Sequence, residues 1–328
     1  MKKIGLLSII LFTLTNCLFA QRAKTKKMHF GVFFHYLHFF QNEKEPWNQG
    51  KTTSWDSCVN SLNVNLIADQ ASKMKAEYVI FTTQQADQFL CLPNATYEKM
   101  TGYKRGEVTP NRDLISDLYT ALAKKHIKLF LYATGDGPRA DRKASLALHN
   151  PSINPDAKPN TFNVDQQWVT SWSTIIRSIS LKYKNKISGW WIDGCYPFIG
   201  YNKKFLIQMV AAAKAGNKNA LVGLNSGPAD KVVVYNVDGY NIGNYTAGES
   251  NKFEDLPAVK SKKGVQWHIL SYLGSNWAQP GLRYSPEYMS LYINKIAKAN
   301  GMVTVDLNLR RDGSIDPQQY DFMLKLKH

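Results

Sequence analysis

Cysteine is scarce in this chain of 328 residues: there are four, and no C-x-x-C pair. Cys17 lies in an apolar leader, which leaves Cys58, Cys91 and Cys195. Three thiols without metal-ligand spacing exclude a disulfide framework and a zinc site, while one bridge stays open in an oxidising compartment. Other absences narrow the class further. There is no H-E-x-x-H, no G-x-S-x-G elbow, no Walker loop and no G-x-G-x-x-G. Their lack removes zincin, serine-hydrolase, P-loop and dinucleotide chemistry. His35 and His38 sit three apart, but where a strand passes into a loop, so no metal is expected. Acids are few beside bases, 25 against 41, for a formal charge of +16. The lysines are scattered, as on a solvated surface. A sharper reading is attraction to acidic glycans or an anionic cell surface. Nucleic acid is not an expected partner, because no binding motif accompanies the charge.

Long apolar runs are absent beyond the N-terminus. Met1-Lys2-Lys3, a run from Ile4 to Phe19 and then Ala20-Gln21 form the pattern of a secretory signal peptide cut after Ala20. The run is short for a membrane span and nothing later is longer, so stable membrane insertion is not expected. Lipoprotein processing at Cys17 fits less well, with Asn16 before it. The expected organisation is a signal peptide over 1–20, a basic linker over 21–27 and one domain over 28–328. The expected address is secreted or periplasmic. A hydrophobic fraction of 44% suffices for one large core.

Eight short apolar runs read as strands: 29–36, 76–83, 127–134, 189–193, 221–225, 239–245, 265–272 and 302–308. Between them lie segments of helical period at 64–75, 113–126, 164–183, 205–215, 287–299 and 316–326. Strands alternating with helices predict an α/β fold, a (β/α)8-like (TIM) barrel. The chain stops with its last helix, so a single catalytic domain without a C-terminal β-sandwich is expected. Three long connections, 37–63, 89–111 and 135–163, leave the C-terminal ends of strands, where barrel active sites sit.

The richest stretch is Gly189-Trp190-Trp191-Ile192-Asp193-Gly194. A buried run ends on a carboxylate, and an unpaired charge is too costly to be core filler. Capping of the next helix is the plainer alternative. The strand ends also supply His35, Tyr36, Asp87, Tyr132, Asp136, Asn225, Tyr245, Glu249, Trp267, His268, Asp306 and Asn308. Several carboxylates among aromatics suit a glycosidase. That chemistry needs one carboxyl to attack or activate water and another to protonate the leaving oxygen, while aromatic faces pack on sugar C–H groups.

These segments, in order, resemble the α-L-fucosidases of glycoside hydrolase family 29. The opening strand His29-Phe30-Gly31-Val32-Phe33-Phe34-His35 is similar to the family's, which ends in a sugar-binding His. Ala76 to Thr83 with Asp87 and Phe89 resembles its second strand, and Asp113 to Tyr132 its next helix and third strand. Trp190-Trp191-Ile192-Asp193-Gly194 looks like the nucleophile strand. Tyr245-Thr246-Ala247-Gly248-Glu249 resembles the segment holding the acid/base in some members, allowing one inserted residue. Asn300 to Asn308, then Asp312-Gly313-Ser314-Ile315, resembles the last strand and turn. The chain departs where the family carries a His-His pair, having Gln85 and Ala86. It also has Asn225 where an Arg is frequent, His268 where Glu often follows the Trp, and Arg310-Arg311 for Gly-Pro.

The resemblance implies a retaining exo-glycosidase that removes terminal α-L-fucosyl or related residues from an oligosaccharide or glycoconjugate. It implies Asp193 as nucleophile and Glu249 as acid/base. The sugar pocket would draw on His35, Tyr36, Gln85, Asp87, Tyr132, Trp191, Asn225, Trp267 and His268. No cofactor is implied. The alternatives are another deoxy-sugar or galactose-type glycoside, or a non-catalytic glycan-binding barrel.

Overall fold

The computed structural model describes residues 27–151, 163–227, 242–253 and 265–328. The leader, and the basic linker except Lys27, lie outside the described residues. Seven parallel strands form one sheet: β1 (Phe30–Phe34), β2 (Tyr78–Thr82), β3 (Lys128–Thr134), β4 (Gly189–Asp193), β5 (Leu221–Leu224), β6 (His268–Tyr272) and β7 (Met302–Leu307). Their order is β5-β4-β3-β2-β1-β7-β6. Residues 244–250 link its two ends. The Asn244 N–H donates to Val222 O at 2.8 Å on the β5 side. On the β6 side, Thr246 N–H reaches Gln266 O at 3.0 Å and Leu270 N–H reaches Gly248 O at 2.8 Å. This curled α/β sheet fits a TIM-like barrel. Residues 239–241 of the sixth expected strand lie outside the described residues, and Tyr245 makes only a bridge to Gln266.

Strand alternation sorts the apolar side chains into two layers. Phe33, Ile80, Phe130, Tyr132, Trp191, Tyr245, Ala247 and Leu270 pack as one inner cluster. Phe34, Val79, Leu131, Trp190, Ile192 and Ile269 join a larger outer cluster with the helices. The helix Gln166–Tyr183 shows why that layer holds: its buried face carries Trp168, Trp172, Ile175, Ile176 and Ile179. Asp165 caps it by accepting from the Trp168 N–H at 2.8 Å. Asp113 caps the helix Leu114–Ala123 in the same way. The long connections are not plain loops. They contain the helices Trp55–Ser61, Ala95–Thr101 and Arg142–Ala147, each capped by an Asx or Ser side chain. These short elements lack the repeated apolar period that reveals a helix in sequence.

Candidate active site

A cavity of about 170 Å³ opens among the C-terminal ends of the strands. Its floor is aromatic. Tyr132 and Trp191 stack at 5.5 Å between ring centroids, and Phe33 lies 5.4 Å from Tyr132. The Trp191 indole N–H donates to Ala247 O at 3.0 Å, which fixes the ring beneath the polar groups. Asp193 follows Trp191 by two residues and so shares its inward face. The Tyr132 hydroxyl donates to Asp193 Oδ2 at 2.8 Å. Oδ1 accepts from Tyr196 Oη at 3.1 Å, from the Gly194 N–H at 2.8 Å and from Asn225 Nδ2 at 2.7 Å.

Glu249 reaches the same point from the other side. Tyr245, Ala247 and Glu249 alternate inward along residues 244–250. The backbone there requires glycine at 248: φ is +66°, and a Cβ would stand 1.7 Å from His268 O. Asn225, 1% exposed, joins the two acids, because its Nδ2 also donates to Glu249 Oε2. An amide nitrogen has two hydrogens, one for each carboxyl group. Burial first, and the neighbouring Asp193 charge second, push the Glu249 carboxyl up to about 7, against the pull of the Asn225 hydrogen bond.

The remaining wall comes from His35, Phe39, Phe40, Gln85, Leu270 and Trp277. His35 packs on Phe33 at 4.1 Å and meets the edge of Trp277 at 6.1 Å. Its Nδ1 lies 2.7 Å from Asp306 Oδ1. Among the described residues no group of three or more His, Cys, Asp or Glu is placed to hold a metal ion.

The α-L-fucosidase family model matches residues 59–327. The chain belongs to the α-L-fucosidase family. It is thus a glycoside hydrolase acting on fucosyl residues. No curated protein matches the sequence. Among solved structures, the fold is similar to the endo-fucoidan hydrolase P5AFcnA of glycoside hydrolase family 107. That match has TM-score 0.65 and 15% identity, covering 91% of this chain and 90% of the other. It is also similar to a family 29 α-L-fucosidase from Bacteroides thetaiotaomicron, with TM-score 0.60 and 15% identity over 90% and 70% of the two chains. A third likeness is α-L-fucosidase isoenzyme 1 from Paenibacillus thiaminolyticus, with TM-score 0.63 and 18% identity over 90% and 72%.

In this fucosidase-family barrel the nine expected sugar contacts divide. His35, Gln85, Tyr132 and Trp191 line the cavity, and Asn225 holds both acids from beneath. Three others do not line it. Tyr36 faces the outer core, and its hydroxyl donates to Cys58 O at 3.0 Å. Trp267 also packs outward, its indole N–H 3.3 Å from Ala299 O. His268 points inward but too deep, where Nε2 meets Thr304 Oγ1 at 2.6 Å and Nδ1 meets Ala247 O at 2.8 Å. Those three expectations are corrected to core roles. Asp87 lies outside the lining as well; Oδ1 accepts from the Phe89 N–H at 3.1 Å, and burial pushes its carboxyl up to about 7. Asp136 pairs with Arg139 at 2.7 Å. Cys58, Cys91 and Cys195 are free and buried. Sequence reasoning missed Phe39, Phe40, Trp277 and Tyr196. The Phe39-Phe40 pair in the first connection was the available signal; for Trp277 and Tyr196 no pattern pointed inward. Among the described residues no helix is long and apolar enough to cross a membrane.

Proposed function

We propose that this chain hydrolyses terminal fucosyl or closely related residues of glycans by a retaining double displacement, outside the cytoplasm. The observation that carries the reading is the single Asn225 amide nitrogen between Asp193 and Glu249. Two hydrogen bonds laid end to end span about 5–6 Å at most. Retaining pairs stand about 5–5.5 Å apart and inverting pairs about 6.5–9.5 Å. Asp193 attacks the anomeric carbon as the glycosidic C–O bond breaks, and protonated Glu249 gives its proton to the leaving oxygen. Glu249 then takes a proton from water, whose oxygen displaces Asp193 and restores it. An acid near 7 beside a carboxyl group that accepts four hydrogen bonds is the division of labour this needs.

Stereochemistry tests the assignment. With an activated aryl glycoside, Glu249→Ala still forms the glycosyl-enzyme, and azide rescues it to a glycosyl azide of retained configuration. Asp193→Ala gives at best the inverted azide. Retained azide from Asp193→Ala removes the nucleophile assignment. Export rests on the leader pattern; an unprocessed Met1 on protein recovered from its native cell would refute it.

A further inference from the structure

Asp306 lies near the end of β7 and is 1% exposed. The reaction as described does not use it. Both of its oxygens are engaged: Oδ1 with His35 Nδ1 at 2.7 Å, and Oδ2 with the Ala278 N–H at 2.6 Å. Ala278 is also held through its carbonyl, to which Asn308 Nδ2 and Trp47 Nε1 donate at 2.6 and 2.8 Å. The Ala278 N–H claims one oxygen of Asp306. A carboxylate has no proton to give, so the imidazole must supply the hydrogen in the other bond. In a neutral ring with Nδ1 protonated, Nε2 is an acceptor. Among the described residues no hydrogen bond is made by Nε2, and His35 lines the cavity.

We propose that Asp306 is a positioning residue that fixes His35 in the Nδ1–H tautomer, so that Nε2 accepts a hydrogen bond from a hydroxyl of the bound sugar. The inference deepens the function proposed above and rests on His35 being a sugar contact. It also specifies the ligand chemistry on this wall: an O–H donor, not a carbonyl or an ether oxygen. Asn cannot replace Asp306, because one amide oxygen would face two N–H donors and the amide NH2 would oppose one of them.

The deciding measurement is ¹⁵N NMR of the imidazole nitrogens in the full-length protein near neutral pH, with His35→Ala to assign the ring. The expected result is protonated Nδ1 and bare Nε2 in the wild type. A ring protonated on Nε2, alone or together with Nδ1, overturns the proposal, whatever the activity. Kinetics supply the second readout. Asp306→Asn should lower kcat/KM on a fucoside by about 10–100-fold, the scale seen when the partner that orients a metal-bound His is removed. In the His35→Ala background the same change should cost much less. Equal costs in the two backgrounds would also overturn it. An enzyme inactive on every glycoside refutes the proposed function instead and leaves the tautomer result standing.

Discussion

Asp193 and Asp306 make an instructive pair. Each is an acid near the C-terminal end of a parallel strand, each faces inward, and each follows an aliphatic residue. Their positions on the strand are alike in sequence. Both acids give both oxygens to protein donors, but Asp193 lines the cavity and its Oδ2 accepts only from Tyr132, while Asp306 is enclosed. A strand-end acid is thus a nucleophile only where its surroundings leave a lone pair open to a substrate. Elsewhere the same position yields a fixed acceptor that orients another side chain.

The largest effect that could break this comparison is on turnover. Asp193→Ala should reduce kcat by about 10⁴-fold or more, the scale set by loss of an attacking group. Asp193 and Asp306 changes of equal severity on one substrate would show that the two acids share one role. Next comes the pH profile. The Glu249 carboxyl must be protonated for an ordinary leaving group, and it is pushed up to about 7. Activity on natural glycans should therefore fall as pH rises through about 7. Asn225 is the contact that lowers this carboxyl, so Asn225→Ala should move the alkaline limb to higher pH. Removing a hydrogen bond to a charged group should also lower kcat by about tenfold or more. An unmoved limb would mean that Glu249 does not set it.

A smaller effect concerns which sugar is preferred. Gln85 lines the cavity where the family resemblance leads one to expect a His. Simple aryl α-L-fucosides should be poor substrates beside larger natural glycans, whose remote contacts contribute at the reacting centre. Gln85→His should raise aryl-fucoside kcat/KM by about tenfold, the worth of one good hydrogen bond to a charged or polar partner. High wild-type turnover on the aryl fucoside would contradict this.

The fold was legible because its strands are apolar runs with clear ends: the runs 127–134 and 189–193 correspond to the strands Lys128–Thr134 and Gly189–Asp193. Asp193 was legible as a charge where burial forbids one. Parity and depth were not. Tyr36 and His35 are adjacent, yet one faces the outer core and the other the cavity. Trp190 and Trp191 divide in the same way. A one-residue uncertainty in register reverses every such assignment. Depth is harder still, because it depends on how far each strand is staggered against its neighbours. Phe39, Phe40 and Trp277 come from connections whose path no periodicity reports.

His268 carries the depth error and gives the smallest activity effect. It pairs with Met302 at the start of β7, whereas Asp306 opposite Tyr272 marks the level of the cavity. Both ring nitrogens are engaged there by Thr304 and the Ala247 carbonyl. Burial pushes its pKa down to about 4, so the native ring stays neutral where an unfolded chain would protonate it. His268→Ala should leave KM for glycans unchanged. It should lower stability at neutral pH by about 1–3 kcal/mol, the cost of orphaned buried partners. The pH dependence has a definite sign. A depressed pKa gives stability that is present above the unfolded value and lost as pH falls through the folded one. The wild type should therefore lose its advantage over His268→Ala between about pH 6.5 and pH 4, as followed by denaturant unfolding of both proteins. A raised KM with unchanged stability would return His268 to the sugar site.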